Sequence, residues 1–245
     1  MIIYLYDGSF EGLLTSFYRA FRGNSEPDEI ISKYEPTHPL ASRKIEIETD
    51  PNKADKVYRG IKKRISNKAV KNVKYCYLSE EKRIGSKLHL YLQLGFKLGA
   101  SLDDRLDEKP VLEIQQLTQK VGRERHRMLG LVRFREIKRG AYYAPIEPDY
   151  NIVSLIAPHF GARMKNQNWI IHDLKRDLAA IYDTEDWVLT EIPGNESPDY
   201  SDREEHYQDL WAKYFRSASV PGRKNKSLQR RYVPQRYWKH LVEMD

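Results

Sequence analysis

A single cysteine, Cys76, stands in a chain of 245 residues. That excludes internal disulfides, an iron–sulfur cluster ligated by this chain's own cysteines, and a Cys-rich zinc site. No apolar run approaches the roughly 18 residues of a membrane span. The opening MIIYLYDGSFEG has neither the positive start nor the long apolar stretch of a secretory signal, so a cytoplasmic location is expected. Common catalytic signatures are also missing. There is no GxxxxGK or GxGxxG phosphate loop, no GxSxG elbow and no HxE…PCxxC deaminase pattern. Catalysis by this chain would need carboxylates or histidines assembled from distant segments. No cofactor is expected.

What is present is aromatic and basic. Hydrophobic residues make up 40% of the chain and tyrosines number 17, which indicates a globular rather than a disordered chain. The net charge is +7. From Arg216 to Leu241 the chain carries eight cations and no carboxylate, so the remainder sums to −1. Tyr232, Tyr237, Trp238 and His240 lie among these charges. A segment that holds the whole charge excess and also carries aromatics fits a polyanion, above all nucleic acid. The plainer reading is a solvated basic tail. The aromatics and the turn chemistry at Pro234 imply that RRYVPQRYWKHL docks on the body, with some of its arginines serving structure.

Periodicity predicts an α+β fold: a helical N-terminal half packed on an antiparallel, hairpin-rich sheet, as a single integrated unit spanning residues 1–245. A subdivision into 1–105, 106–221 and 222–245 is the alternative. Met1 to Tyr6 reads as a strand, expected to join the later hairpins. Asp7 or Ser9 caps a helix that Gly23-Asn24 ends, and Asp50-Pro51 opens another. Ile45 and Ile47 mark a brief strand. Residues 67–79, 81–99 and Val111 to Met128 read as helices, with a polar connection at 101–110. Leu131 to Lys138 and Ala141 to Ile146 form a hairpin turned at Gly140. Residues 151–164 are helical with a kink or restart at Pro158. Strands follow at 169–172, 178–182 and 187–192.

Two further clusters are candidates. Lys120, Arg123 and Arg127 share a helix face by spacing, and Arg133 and Arg135 share a strand face, an array suited to gripping phosphates. Arg125 lies on the stripe that should be apolar, where a positive charge must find a partner, above all a structural ion pair, or else line a cavity as part of a functional site. His159 and Arg163, four apart, would act together as proton donor and anion holder in a helix, or His159 is a hydrogen-bonded core residue. His172-Asp173 suggests a metal site, but adjacent strand residues point to opposite faces. With no second ligand group at suitable spacing, no metal is expected, and Asp173 and Arg176 read equally as pins of a tight turn.

Three stretches together resemble one bacterial family. They are YDGSFEGLLTSFYRAF at 6–21, the APHFGARM and WIIHDLKRDLAAIYD pair at 157–183, and RRYVPQRYWKHL at 230–241. The family is built on a domain of unknown function, and its members are labelled DNA metabolism proteins. Asp7, Gly8, Ser9, Phe10, Glu11 and Gly12 match its opening motif. Pro158, His159, Phe160 and Arg163 match the middle one, and His172, Asp173 and Arg176 the next. Arg231, Pro234, Arg236, Tyr237 and Trp238 match the last. The likeness spans essentially the whole chain and departs at Val242-Glu243-Met244-Asp245, where the family has a short acidic finish. In that family the domain occurs alone or fused ahead of a uracil-DNA-glycosylase-like domain, beside a radical-SAM protein associated with DNA repair or modification. The resemblance implies a role on DNA and a radical-SAM protein partner, and it carries no established activity. This chain ends without a fused glycosylase, so base-excision chemistry is expected from another chain. With one cysteine, the radical-SAM cluster is expected in the partner.

Three functional expectations follow. The first is a DNA-binding accessory protein, with Lys120, Arg123, Arg127, Arg133, Arg135, Arg230, Arg231 and Arg236 on phosphates and Tyr237 and Trp238 stacking on a base. The second is a DNA-processing enzyme with His159, Arg163, His172 and Asp173 in one pocket. The third is an adaptor for the radical-SAM partner.

Overall fold

The computed structural model of the protein describes residues 1–23, 25–36, 43–138, 140–193, 198–219 and 225–244. The protein is α+β, as its periodicity predicts. It divides into two compact units, Met1–Gly122 and Arg123–Asp245. No helix among the described residues is long and apolar enough to cross a membrane.

In the first unit, β1 (Ile2–Tyr6) is the centre of a three-stranded parallel sheet, flanked by β2 (Glu29–Ser32) and β3 (Arg43–Glu46). This corrects the expectation that the first strand joins the later hairpins. Ile3 and Tyr4 are consecutive and both fully buried, so both faces of β1 are covered, which is why IIYLY shows no alternation. Ser9 caps α1 (Phe10–Arg22) by accepting from the Gly12 N–H, and Gly23 ends it. Asn24 lies outside the described residues. Asp50 caps α2 (Pro51–Arg64) through the N–H groups of Asn52 and Lys53, with Pro51 at the first helical position. α3 (Asn67–Tyr77) and α4 (Ile84–Leu98) follow, and a 3-10 turn at Gly99–Asp104 occupies the start of the polar connection. α4 lies directly on β2. A Cβ at Gly85 would stand 2.4 Å from the Ile30 carbonyl oxygen, so that helix–strand approach requires glycine. The core joins Leu13, Phe17, Ile30, Ile61, Leu88, Leu92, Val111 and Ile114. The last two belong to α5 (Lys109–Leu131), whose length runs past the end of the unit.

The second unit is built on a five-stranded sheet in the order β4 (Arg135–Ile137), β5 (Ala141–Ile146), β6 (Trp169–Asp173), β7 (Leu178–Tyr182), β8 (Trp187–Glu191). Three of its pairings are antiparallel; β5 and β6 are parallel, so the sheet is mixed. The parallel pair follows from connectivity: α6 (Val153–Arg163) crosses between β5 and β6 and packs on β6, β7 and β8. Pro158 is accommodated inside α6 without dividing it. Ala179 and Ala180 are fully buried, and Phe160 meets Phe134 edge-on at 5.2 Å. Trp169 stacks on Tyr182 at 5.1 Å. Gly140 makes the β4–β5 turn at a φ of +72°, where a side chain would be strained. The strand begins at Arg135, so Arg133 precedes it, and the expected strand face shared by the two arginines does not form. A seventh helix, α7 (Glu204–Ala218), was not expected. α8 (Lys226–Tyr232) and 3-10 turns at Gln235–His240 and Val242–Met244 complete the unit.

Candidate nucleic-acid interface

The second half of the basic segment is docked. Asn225 caps α8 through the Leu228 N–H, and after α8 Pro234 leads into a 3-10 turn that buries Tyr237, which is 2% exposed. Its hydroxyl donates to Glu124, a carboxylate on α5 that is itself only 3% exposed. Glu124 also accepts from the N–H groups of Asp149 and Tyr150, each at 2.8 Å. A buried carboxylate requires such donors, because its charge has lost water. Burial first, and the bond to Glu124 second, push the Tyr237 phenol well above its ordinary pKa. Arg236 lies over the Tyr237 ring at 4.6 Å, donates to its hydroxyl at 3.1 Å and pairs with Asp149. Lys239 pairs with Glu147, and His240 Nε2 stands 3.4 Å from the same carboxylate. Glu243 receives Arg133 and, at 3.0 Å, the indole N–H of Trp211. Trp238 is partly buried and donates to the Val233 carbonyl at 2.9 Å.

These contacts sort the cations. Arg236 and Lys239 hold carboxylates of the body, and Arg133 of the body holds Glu243 of the last turn. Arg230 and Arg231 are exposed on α8, and among the described residues neither has a carboxylate at ion-pair distance. Arg223 and Lys224 lie outside the described residues. Lys120 and Arg123 are exposed and Arg127 is half-buried on α5. Arg125, expected above all in an ion pair, instead donates to the Leu155 carbonyl at 3.0 Å. The buried charge of that turn is its neighbour Glu124. Arg135 lies 5.7 Å over the Tyr200 ring, and its Nε is buried with no hydrogen-bond partner among the described residues.

The proposed His/Asp pocket residues are mostly committed elsewhere. His172 Nε2 donates to the Ile192 carbonyl at 3.1 Å, leaving Nδ1 to accept from the Tyr143 hydroxyl at 2.9 Å. Asp173 is fully buried, accepts from the Lys175 N–H and pairs with Arg176 at 2.8 Å. Arg176 also donates to the carbonyls of Pro148 and Asp149, which ties the β6–β7 turn to the chain after β5. Arg163 is exposed, and His159 has a buried Nε2 without a partner among the described residues. No group of three or more His, Cys, Asp or Glu among the described residues is placed to hold a metal ion.

A protein-family model described as a domain of unknown function, DUF4130, matches residues 82–243. The chain belongs to the DUF4130 family. No curated protein matches it. The DUF4130 match takes in the α6 and β6–β7 motifs and the C-terminal segment as far as Glu243, with nearly all of the contacts just described. The opening motif lies outside it and has a structural explanation of its own. Asp7 accepts from the N–H and hydroxyl of Ser9 and from Thr49, bonds that hold its carboxyl below the ordinary value against the opposing effect of burial. A Cβ at Gly12 would fall 2.1 Å from Asp7 Oδ1, so glycine there admits the carboxylate. Gly8 adopts a φ of +89°; Phe10 packs on Tyr77, whose hydroxyl donates to the Gly8 carbonyl, and Glu11 is exposed in the first turn of α1. Cys76 is buried, and that burial pushes its thiol up to about 12, which makes it a packing residue.

Within the DUF4130 region, sequence reasoning missed α7. Tyr207, Leu210, Trp211 and Tyr214 recur at three- and four-residue spacing, a signal that marks a helix.

Proposed function

We propose that this DUF4130 protein is a nucleic-acid-binding accessory protein in DNA repair or modification, working beside a radical-SAM partner in the cytoplasm. Its cations bind phosphates and supply affinity without reading sequence. One observation carries the reading. Between Lys213 and His240 the chain has no carboxylate, and two of its cations, Arg230 and Arg231, stand exposed on one helix without acidic partners among the described residues. Leaving them so close together is unfavourable unless an anion approaches. The docking of Tyr237 and Trp238 supports a fixed, presented arrangement of these arginines. The commitment of His172 and Asp173 to backbone and turn bonds favours binding over catalysis. A titration of fluorescently labelled DNA tests the proposal. The expected result is binding whose logarithm falls linearly with the logarithm of salt concentration; absence of binding at about 50 mM salt overturns it.

A further inference from the structure

Exposed aromatic rings are concentrated on α7. Tyr207 is 56% exposed, Trp211 40% and Tyr214 62%, and Leu210 lies in the same stripe. A helix that repeats apolar residues at this spacing ordinarily turns them inward. Here the inward face is instead Glu204, Gln208 and Ala212: Glu204 is buried and accepts from the Glu136 N–H at 2.8 Å, while Gln208 donates to Glu204. The aromatic stripe is therefore left outside by construction.

The central ring is held in place. The indole N–H of Trp211 donates to Glu243 at 3.0 Å, and the Arg133 guanidinium, itself paired with Glu243, lies 5.6 Å over the ring. Tyr214 sits beside it with ring centroids 5.7 Å apart. At 1.5 Å rise per residue, Tyr207 to Tyr214 spans about 10 Å, the length of about three stacked nucleotides at 3.4 Å each. The exposed charges nearby are net positive: Lys213 and Arg216 on α7 with Arg230 and Arg231 on α8 outnumber Glu205 and Asp209. Lys213 is on α7, and α8 with Arg230 and Arg231 reaches the same final turn, where Gln229 donates to Met244 Sδ at 3.2 Å while α7 packs against that turn.

We propose that α7 is a stacking platform for single-stranded nucleic acid, with Tyr207, Trp211 and Tyr214 receiving unpaired bases and Lys213, Arg230 and Arg231 holding the phosphates beside them. The proposal rests on the nucleic-acid reading above and adds the strand form and the rings. Every base has a face to stack, so such a platform is tolerant of sequence, and a rigid ring loses little freedom on binding. The charge pattern argues against a second copy of the chain as the occupant. A two-fold contact through this face would bring two Lys213, Arg230 and Arg231 sets together, whereas a polyanion neutralises them.

The test uses Tyr207→Ala and Tyr214→Ala in the full chain. Both rings are exposed, and alanine suits a helix surface. Anisotropy is measured with a labelled oligothymidylate and with a duplex of equal length, and light scattering gives the mass. The expected result is a loss of about 5- to 150-fold per ring on the single strand, with an unchanged salt slope and little change on duplex. Ring variants that bind the single strand as tightly as wild type overturn the platform and leave the nucleic-acid reading standing. A wild-type protein that binds neither probe overturns both. A wild-type dimer that both variants convert to monomer shows that a second copy covers the face, and overturns the platform.

Discussion

Tyr237→Phe removes one hydroxyl from a buried residue of the C-terminal segment and leaves its ring in place. The ring keeps its burial and its Arg236 contact at 4.6 Å. What is lost is a hydrogen bond to the ionised Glu124, and bonds to charged groups contribute about 1.5–3 kcal/mol. Glu124 keeps two backbone donors at 2.8 Å and an Arg236 nitrogen at 3.9 Å. The loss should therefore stay below the roughly 3–5 kcal/mol that a stranded buried charge costs. Because α8 and the last two turns are held by this contact and a few ion pairs, the loss should appear as local opening rather than global unfolding. Hydrogen exchange by mass spectrometry reads it directly. At about 1.4 kcal/mol per tenfold, amides of residues 235–244 in the variant should exchange about ten- to a hundredfold faster than in wild type, with the sheet β4–β8 unchanged. Exchange within about twofold of wild type would refute the claim that the Glu124–Tyr237 bond pins the segment.

Acid should release the same segment. The Glu147 and Glu243 carboxyls lie below their ordinary value of 4.5: burial opposes the shift, but Lys239 with His240, and Arg133 with Trp211, outweigh it. Carboxyls lowered by folding stabilise the docked state above the unfolded value, and that stability is lost as pH falls below about 4.5. Burial also pulls His240 below 6.5, so charging it opposes docking and weakening should begin as pH falls below 6.5. Tryptophan fluorescence should therefore change in two steps on acidification, and a flat profile down to about pH 4 would contradict the assignment. Gly85→Ala sets a Cβ against the Ile30 carbonyl at 2.4 Å and should destabilise the first unit by about 1–3 kcal/mol, read from the denaturant midpoint. Asp173→Ala takes the carboxylate from Arg176, which keeps its Pro148 and Asp149 carbonyl partners, and should cost about 1.5–3 kcal/mol in thermal or chemical denaturation; an effect below about 0.5 kcal/mol would show that the pair is not a structural pin.

Much of this architecture was legible in residues with local rules. Ser9, Asp50-Pro51 and Gly140 announce caps and a turn whose chemistry is contained in a few neighbouring residues, and each stands where its chemistry requires. Docking of RRYVPQRYWKHL was legible from Pro234 and from rings too large to leave in water. Non-local facts were not. The partners of β1 depend on β2, whose EIIS is too short to show a period. The parallel β5–β6 pairing depends on α6 crossing over, which no window of sequence reports. Glu124 looked like one charge in a basic helix, and only the arrival of Asp149, Tyr150 and Tyr237 from elsewhere in the second unit makes it the anchor. The α7 stripe misleads in the opposite way, since its spacing predicts burial while Glu204 and Gln208 take the inward positions.

The proposed function requires that Arg230 and Arg231 contact phosphates, whereas Arg236 serves the fold through Asp149 and Tyr237. The direct measurement is the salt dependence of single-strand affinity in wild type and in the Arg230→Ala/Arg231→Ala double variant. Each phosphate contact contributes a log–log slope of about −0.7, so the double variant should bind more weakly, with a slope flatter by about 1.4 and an unchanged exchange pattern at residues 235–244. A double variant with the wild-type slope would contradict the claim.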